Sequence, residues 1–249
     1  MEYNPFSLKG KTILITGASS GIGRATAVEC SKLGAALVIT ARNAERLNET
    51  LLMLEGDGHL QFIADLTETD SLANLVDFVP ALDGCVNNAG INRSLPIQFI
   101  SLPDLNELFG TNTFSPILLT QLLVKKKKLK KGCSVVFTSS IAGVFRSSMA
   151  NSMYSASKGA INGFMKNAAL ELASKGVRVN SVNPAMVQTD LLGKGGISEE
   201  QYQEDMKKYP LQRYGTPEEI AFSIIYLLSD ASAWVTGSSL LIDGGITLR

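Results

Sequence analysis

The chain has 249 residues, 45% of them hydrophobic, and its 23 basic residues equal its 23 acidic residues. This length and apolar content suit one large core, so we predict a single domain over residues 1–249. Because the formal net charge is zero, the composition favours neither a nucleic-acid partner nor an anionic membrane surface.

Cysteine usage and the first residues indicate an intracellular protein. Cys30, Cys85 and Cys133 are odd in number and form no C-x-x-C pair, which favours reduced thiols over a disulfide framework. The segment MEYNPFSLKGK lacks the apolar core of a signal peptide, and no apolar run reaches the length of a membrane span. We therefore expect a cytoplasmic protein.

Short β-branched runs alternate with longer amphipathic runs along the chain. Strands are predicted at 11–16, 35–40, 60–64, 82–88, 133–139, 177–182 and 239–243. Helices are predicted near 21–33, 43–54, 69–79, 104–130, 153–175 and 217–229. Continuous apolar strands spaced by helices indicate a parallel sheet covered on both faces, so we predict an α/β, doubly wound fold.

Three features stand outside this alternation. Residues 184–216 contain no clear strand and are rich in glycine and charge, which suits a substrate-binding loop or lid. The run KKKKLKK, residues 125–131, closes the predicted helix 104–130, where cations near a helix C-terminus and a solvated face explain it better than a polyanion site does. The one histidine, His59, is interpreted as a surface turn residue, and without a cluster of ligands we predict no metal site.

The first strand leads directly into TGASSGIG, residues 16–23, and then into a helix. Gly17, Gly21 and Gly23 lack side chains where the backbone must turn tightly and approach a pyrophosphate, and the helix offers its first amides to that anion. A purely structural glycine turn is the alternative. The position between strand and helix favours a dinucleotide site, which would also include Ser19, Ser20 and Ile22.

Tyr154 and Lys158 lie four positions apart in YSASK, near the start of a predicted helix. Residues i and i+4 are neighbours on a helix, so the ammonium lies close to the phenol. A nearby cation favours phenolate and would lower the phenol pKa from about 10 towards neutrality, as a general acid or base requires. For this spacing taken alone, an amphipathic surface pair is the alternative.

Seven segments occur in an order that resembles the short-chain dehydrogenase/reductase family, and together they span nearly the whole chain. They are TGASSGIG, NNAG at 87–90, Asn112 in FGTNTF, SSIAG at 139–143, YSASK, NPAMVQTD at 183–190 and PLQRYGTPEEIA at 210–221. The resemblance implies one Rossmann-like domain with a seven-stranded parallel sheet. It also implies hydride transfer between a nicotinamide and a carbonyl or secondary alcohol.

The resemblance implies four catalytic residues. Tyr154 would exchange a proton with the substrate oxygen, and Ser140 would donate a hydrogen bond to that oxygen. Lys158 would also hydrogen-bond the nicotinamide ribose. Asn112 would hold a water molecule that relays protons through Lys158. A non-catalytic, nucleotide-sensing or scaffolding relative is an alternative of another class, which this intact set disfavours.

Two departures from the family pattern affect the site. Residues 141–153 separate Ser140 from Tyr154, one residue more than is usual, so we expect a one-residue bulge there and keep Ser139 as an alternative for the hydroxyl. Ala185 stands where glycine usually follows the proline, and an ordinary negative φ would tolerate its methyl group.

The resemblance also implies cofactor contacts at the strand ends. Asp65 would read the adenine amino group, and residues 88–90 would form the wall against the adenosine ribose. The implied contacts beyond the glycine loop are Arg42, Asp65, Leu66, Asn88, Ala89, Gly90, Tyr154, Lys158, Pro184, Val187 and Thr189.

The end of the second strand favours NADP(H) over NAD(H). NAD-preferring relatives place an acidic residue about twenty residues after the glycine motif, and here that place is Ala41. Arg42 follows it with a planar, permanent charge suited to a 2′-phosphate, although a solvated surface arginine is the alternative. Ser20 stands where some NADP-dependent relatives carry a second basic residue, so the expected selectivity is moderate.

The expected partners are a small-molecule carbonyl or alcohol substrate and further copies of the chain. The apolar helices near 104–124 and 153–173 predict a homo-oligomer, a dimer or a tetramer. One alternative substrate is a 3-oxoacyl group on an acyl carrier protein, which Lys131 and Lys175 would help to dock. The residues expected to line the substrate pocket are Ile91, Asn92, Ser94, Ile141, Ala142, Phe145, Ser147, Ser148, Met149, Met186 and Leu191.

Overall fold

The computed structural model describes residues 3–189 and 199–248. The strands in this part of the chain are β1 (Thr12–Thr16), β2 (Ala36–Ala41), β3 (Leu60–Ile63), β4 (Leu82–Asn87), β5 (Leu129–Thr138), β6 (Arg178–Pro184) and β7 (Ser239–Ile242). They form one seven-stranded sheet in the order β3-β2-β1-β4-β5-β6-β7, and every pairing is parallel. The predicted seven-stranded parallel sheet is therefore confirmed.

Helices connect the strands throughout the described residues. They are α1 (Gly21–Lys32), α2 (Ala44–Leu52), α3 (Thr69–Phe78), α4 (Leu102–Phe109), α5 (Ser115–Lys125), α6 (Ser152–Ala173), α7 (Glu199–Met206) and α8 (Pro217–Leu228). Of these, α7 lies inside the predicted lid 184–216, and residues 190–198 of that lid fall outside the described residues.

Two apolar clusters pack on opposite faces of the sheet. Successive side chains of a strand point to opposite faces, and in β1 the fully buried Leu14 belongs to one cluster whereas Ile13 and Ile15 belong to the other. The first cluster contains residues of α3, α5 and α6, and the second contains residues of α1, α2 and α8. Helices thus cover both faces, and the doubly wound architecture is confirmed.

The strand order reverses at β1, with β2 on one side and β4 on the other. In doubly wound sheets the carboxyl ends of the strands at such a point enclose a ligand crevice. TGASSGIG begins at the end of β1, and NNAG begins at the end of β4. Both segments therefore lie at the crevice.

The predicted helix 104–130 is wrong in its limits. The chain forms α4, then a π-helix over Gly110–Phe114, and then α5, which ends at Lys125. Pro116 has no N–H to bond the carbonyl oxygen four residues earlier, and Ser115 Oγ instead donates to the Gly110 carbonyl at 2.7 Å. The helix widens at this point, as π-helical turns do at functional sites.

The lysine run therefore crosses three elements instead of closing a helix. It begins at the end of α5, continues through a turn and enters β5 at Leu129. Two of its lysines pair with acidic residues of neighbouring elements, namely Lys126 with Asp77 and Lys130 with Asp83. These ion pairs, which the sequence pattern did not predict, join the turn to α3 and the start of β5 to β4.

His59 has a structural role that the sequence did not reveal. Its Nδ1 accepts the Leu37 N–H at 3.2 Å, and its Nε2 lies 3.0 Å from the Glu55 carbonyl oxygen. The ring thereby holds the start of β2. The three cysteines are free, buried thiols. Within residues 3–189 and 199–248, no helix is both long and apolar enough to cross a bilayer.

Candidate active site

The glycine loop after β1 packs too tightly for side chains. Gly17 has φ of 66°, and a Cβ added there would lie 2.8 Å from the Ala89 Cα. A Cβ on Gly23 would lie 2.2 Å from the Gly17 carbonyl oxygen. Real Cβ atoms do not approach so closely, so the loop requires glycine at both positions.

Thr16 and Asn88 join the ends of β1 and β4. The Thr16 hydroxyl accepts the N–H groups of Asn88 and Ala89 at 2.9 and 3.0 Å, and it lies 3.3 Å from the Val86 carbonyl oxygen that accepts its proton. The Asn88 side-chain amide donates back to the carbonyl oxygens of Thr16 and Gly17. Thr16 was missed as a site residue, although it opens the TGASSGIG motif.

A cleft of about 570 Å³ begins at the glycine loop and continues to Tyr154 and Lys158. Sixteen of the seventeen predicted cofactor residues line it, and Gly23, which packs behind the loop, is the exception. The sixteen are Gly17, Ser19, Ser20, Gly21, Ile22, Arg42, Asp65, Leu66, Asn88, Ala89, Gly90, Tyr154, Lys158, Pro184, Val187 and Thr189.

We call the part of the cleft formed by Gly17, residues 19–22, residues 40–43 and Arg46 the loop end. Arg42 is 64% exposed there, and its Nη1 lies 3.7 Å from Asp65 Oδ2. Arg46, in the first turn of α2, also lines the cleft. The loop end thus presents basic side chains beside a glycine turn at the first amides of α1, an arrangement suited to phosphate.

We call the part formed by Ser140, Tyr154 and Lys158 the catalytic end. Tyr154 is half-buried, and its phenol hydrogen-bonds with the Ser140 side chain. Burial raises the pKa of Tyr154 above its usual value, and the Ser140 hydrogen bond opposes that rise. The predicted lowering of the phenol pKa towards neutrality is therefore wrong for this structure, since desolvation outweighs the other effects.

Lys158 is only 5% exposed, although it carries an amine. Its Nζ donates to the Thr138 carbonyl oxygen at 2.9 Å and lies 5.8 Å from the centre of the Tyr154 ring. Burial lowers the pKa of Lys158 to about 8, because the charged form loses its hydration. The expected proximity of the two side chains is confirmed.

Ser139 and Ser140 both line the cleft, but their hydroxyl groups have different partners. Ser139 Oγ donates to the Lys158 carbonyl oxygen at 3.1 Å and accepts from Asn162 Nδ2 at 2.6 Å. Ser140 Oγ accepts the Ala142 N–H at 3.1 Å, which leaves its own proton for the Tyr154 phenol or for a substrate oxygen. The geometry therefore favours Ser140 over Ser139 as a donor to substrate.

The segment between Ser140 and Tyr154, where a one-residue bulge was expected, is a loop. Ile141 O accepts the N–H groups of residues 144–146, which closes a turn. A Cβ on Gly143 would lie 2.0 Å from the Ser155 carbonyl oxygen, so this turn sits directly on α6. Ala150 takes a left-handed φ of 59° just before α6. As expected for Ala185, its φ is not positive.

Asn112 lies in the π-helix and does not line the cleft. Its Oδ1 accepts the Ile91 N–H at 2.8 Å, and its Nδ2 donates to the Ile91 carbonyl oxygen at 2.9 Å. A Cβ added to Gly90 would lie 3.2 Å from Asn112 Oδ1 and 3.4 Å from Lys158 Nζ. Asn112 therefore holds the 90–91 backbone against Lys158.

The predicted substrate wall is only partly on the cleft. Ile91, Asn92 and Met186 line it, and Leu191 lies outside the described residues. The remaining predicted members do not line it; they are Ser94, Ile141, Ala142, Phe145, Ser147, Ser148 and Met149. They belong to the 141–149 turn and its neighbours, whose position the sequence did not fix.

The residues present fit a nicotinamide dinucleotide. The glycine loop leaves a cradle for a ligand. A Cβ added to Gly21 would lie 3.2 Å from the Thr189 Cγ2 and would narrow this cradle. In the described ranges, the backbone N–H groups of Ser19 and Ser20 meet no acceptor, and both residues line the cleft. Unpaired amides beside a glycine turn form a concavity for an anion.

Known proteins resemble this chain over nearly its whole length. A family model described as enoyl-(acyl carrier protein) reductase matches residues 17–247. A tropinone reductase homolog of Arabidopsis thaliana is 36% identical and covers 98% of this chain and 94% of its own length. The 3-oxoacyl-acyl-carrier-protein reductase FabG of Rickettsia bellii (strain RML369-C) is 33% identical and covers 97% of this chain and 98% of its own length. A crystal structure of a putative NAD(P)-dependent gluconate 5-dehydrogenase from Beutenbergia cavernae has NADP bound at low occupancy. It is 30% identical to this chain, has a TM-score of 0.89, and covers 99% of this chain and 100% of its own length.

Proposed function

The chain belongs to the short-chain dehydrogenase/reductase family of oxidoreductases, and from this premise we propose that it reduces a small-molecule carbonyl with NADPH or catalyses the reverse oxidation. The observation that carries the proposal is the cleft itself, in which a glycine loop with unpaired amides continues to the adjacent Ser140, Tyr154 and Lys158. A bound nicotinamide supplies or receives the hydride. The non-catalytic alternative is set aside, because the relatives reported above are named as reductases and a dehydrogenase and because Ser140, Tyr154 and Lys158 meet in the cleft.

Tyr154 transfers the proton in this proposal. Its raised pKa keeps the phenol protonated at neutral pH, so it donates a proton to the carbonyl oxygen in the direction of reduction. The Ser140 hydroxyl, which lies beside the phenol, donates a hydrogen bond to the same oxygen and stabilises the negative charge that grows there.

Lys158 stabilises the tyrosinate that remains after proton transfer. An ammonium has three donors, and only one is used by the Thr138 carbonyl oxygen. The other two are available to a ribose hydroxyl and to ordered water. Asn112 acts on the Lys158 ammonium through the backbone of Gly90 and Ile91, which it fixes beside Lys158 Nζ.

The preference for NADP(H) follows from Ala41 and Arg42. Ala41 lines the loop end without a carboxylate that would repel a 2′-phosphate, and the exposed Arg42 reaches the same region. The Beutenbergia cavernae structure supports this assignment, since it contains bound NADP at low occupancy. The double variant Ala41→Asp with Arg42→Ala should lose NADPH affinity and gain NADH affinity. Equal turnover of the two cofactors by the wild type would contradict the preference.

The proposed reaction can be tested with a substrate panel. NADPH carrying deuterium at the transferable position of the nicotinamide is mixed with ketoacyl thioesters, steroid ketones and cyclic ketones, and the products are analysed by mass spectrometry. We expect at least one alcohol product with deuterium on the former carbonyl carbon. If the protein binds NADPH but transfers deuterium to no carbonyl, the proposed reaction is wrong.

A second candidate is reduction of a 3-oxoacyl group carried by an acyl carrier protein, the reaction named for the Rickettsia bellii relative. The Gly132 N–H donates to the Gly176 carbonyl oxygen at 3.1 Å, which brings the exposed Lys131 and Lys175 together. Neither lysine has an ion-pair partner among the described residues. Their replacement by glutamate should raise KM about tenfold for a carrier-bound substrate and leave KM for its pantetheine analogue unchanged.

Self-association and a cytoplasmic location complete the proposal. Leu102, Phe114 and Leu118 on the α4–α5 side and Leu170 on α6 are exposed, which suits packing against a second copy. A dimer or tetramer by light scattering is the expected result, and a monomer at all working concentrations would contradict it. The buried free thiols are compatible with a reducing compartment.

A further inference from the structure

Arg24 joins the glycine loop to α2 without lining the cleft. It follows Gly23 in α1, and its Nη2 donates to the Ser19 carbonyl oxygen at 2.7 Å and to Glu49 Oε2 at 2.8 Å. Its Nε donates to Thr50 Oγ1 at 3.0 Å. One guanidinium therefore connects the loop with the last two turns of α2.

Thr50 holds the neighbouring peptide of the same loop. It is fully buried, and its Oγ1 donates to the Ala18 carbonyl oxygen at 2.9 Å. Because Thr50 Oγ1 also accepts a hydrogen bond from Arg24 Nε, the two side chains form one connected network. Two consecutive carbonyl groups, those of Ala18 and Ser19, are thus held on the α2 side of the loop.

The orientation of these carbonyl groups determines where the next amides point. In a trans peptide the C=O and the following N–H point in opposite directions. When the carbonyls of residues 18 and 19 face α2, the N–H groups of Ser19 and Ser20 face the other way, towards the cleft that both residues line. These are the two amides without an acceptor among the described residues.

We propose that Arg24 and Thr50 are positioning residues that orient the Ser19 and Ser20 amides for a phosphate at the adenosine end of the cofactor. The proposal rests on the proposed function, because it assumes an adenosine phosphate at the loop end. Neither side chain lines the cleft, so both act through the backbone. The same network contacts the Arg46 carbonyl oxygen, and so it also fixes the first turn of α2 beside that phosphate.

A merely structural role predicts a different result, and two matched controls separate the roles. Arg178 is also a partly buried arginine with several hydrogen bonds to the chain, to Ser229, Ser232 and Val235, but it lies off the cleft. Thr120 is a buried threonine whose hydroxyl donates to a carbonyl four residues earlier, and it also lies off the cleft.

The test compares Arg24→Met and Thr50→Val with Arg178→Met and Thr120→Val, and it includes Arg24→Lys and Thr50→Ser as conservative variants. Binding of NADPH is measured by fluorescence, binding of adenosine 2′,5′-bisphosphate by calorimetry, and folding by thermal unfolding. The steady-state KM for NADPH and kcat at saturating NADPH are measured on the same preparations.

We expect Arg24→Met and Thr50→Val to weaken the binding of both nucleotides by about tenfold or more, as loss of a charge-assisted or buried hydrogen bond does. KM for NADPH rises by the same factor, kcat changes little, and Thr50→Ser restores binding. The controls lower the unfolding temperature without changing nucleotide affinity.

Unchanged affinity in the Arg24 and Thr50 variants, or an equal loss in the controls, would overturn the proposal. So would a loss confined to NADPH with normal binding of the bisphosphate, since the effect must arise at the adenosine end. A wild type that binds neither nucleotide contradicts the proposed function itself, so the two failures are distinguishable.

Discussion

The two ends of the cleft use different physical means. The loop end relies on backbone shape, with glycines that admit no Cβ and with unpaired amides, and its predicted phosphate-binding side chain, Arg42, is 64% exposed. The catalytic end relies on buried side chains, with Lys158 only 5% exposed and held by a carbonyl oxygen. Backbone shape can bind a cofactor but cannot exchange a proton. Hence we expect binding and proton transfer to be separable by mutation.

Tyr154→Phe gives the largest expected effect and tests the catalytic end. The ring remains and only the proton donor is removed, so turnover should fall about 100-fold or more while NADPH affinity stays near that of the wild type. Carbonyl reduction is followed by absorbance and NADPH binding by fluorescence. A variant that keeps more than about a tenth of the wild-type rate would show that Tyr154 is not the acid.

Gly23→Ala tests the loop end. Its Cβ would lie 2.2 Å from the Gly17 carbonyl oxygen, so the loop must move. NADPH affinity should fall about 100-fold, as misplacement of a binding group by about 1 Å can do, while kcat at saturating NADPH is retained. The control is Gly163→Ala in α6, where an added Cβ meets no atom within 4 Å. Equal affinity losses in the two variants would refute the role of the loop shape.

The sequence revealed the loop end and the Tyr154–Lys158 pair because each depends on local spacing. A glycine turn after a strand and two residues four apart on a helix keep their geometry wherever the fold places them. The π-helix at Asn112 was missed, although Pro116 was a visible signal. The role of Ser139 depends on Asn162, which lies far along the chain. The network of Arg24 with Thr50 likewise depends on how α1 and α2 pack, which no local pattern encodes.

Lys158 should make stability depend on pH in a predictable direction. Its pKa is about 8 in the folded protein and 10.5 for the free side chain, so above about pH 8 the unfolded chain binds more protons. The free energy of unfolding of the wild type should therefore rise, relative to Lys158→Met, by about 1–2 kcal/mol between about pH 8 and pH 9.5. Below about pH 7, where Lys158 is charged in both the folded and the unfolded state, the difference between the two proteins should be constant.

Urea unfolding of both proteins across this range measures the difference, and contributions of other groups cancel in the comparison. Parallel pH profiles would mean that Lys158 is not desolvated. The catalytic end would then lack the feature that distinguishes it from the loop end.

Ala150→Gly should have the smallest effect and sharpens the description of the loop before α6. Ala150 has φ of 59°, a conformation that glycine adopts without strain. The substitution should stabilise the protein by about 0.5–1 kcal/mol, measured by thermal unfolding. The same change at Ala160, which is exposed within α6, should destabilise it by a similar amount. Destabilisation at both positions would contradict the left-handed conformation.

A double-mutant cycle of Gly23→Ala and Tyr154→Phe tests the separation of the two ends most directly. The two residues share no hydrogen-bond partner and act on different steps, so their effects on kcat/KM for NADPH should multiply, with a coupling energy within about 0.5 kcal/mol of zero. A coupling energy above about 1 kcal/mol, such as a double variant no slower than Tyr154→Phe alone, would contradict the account.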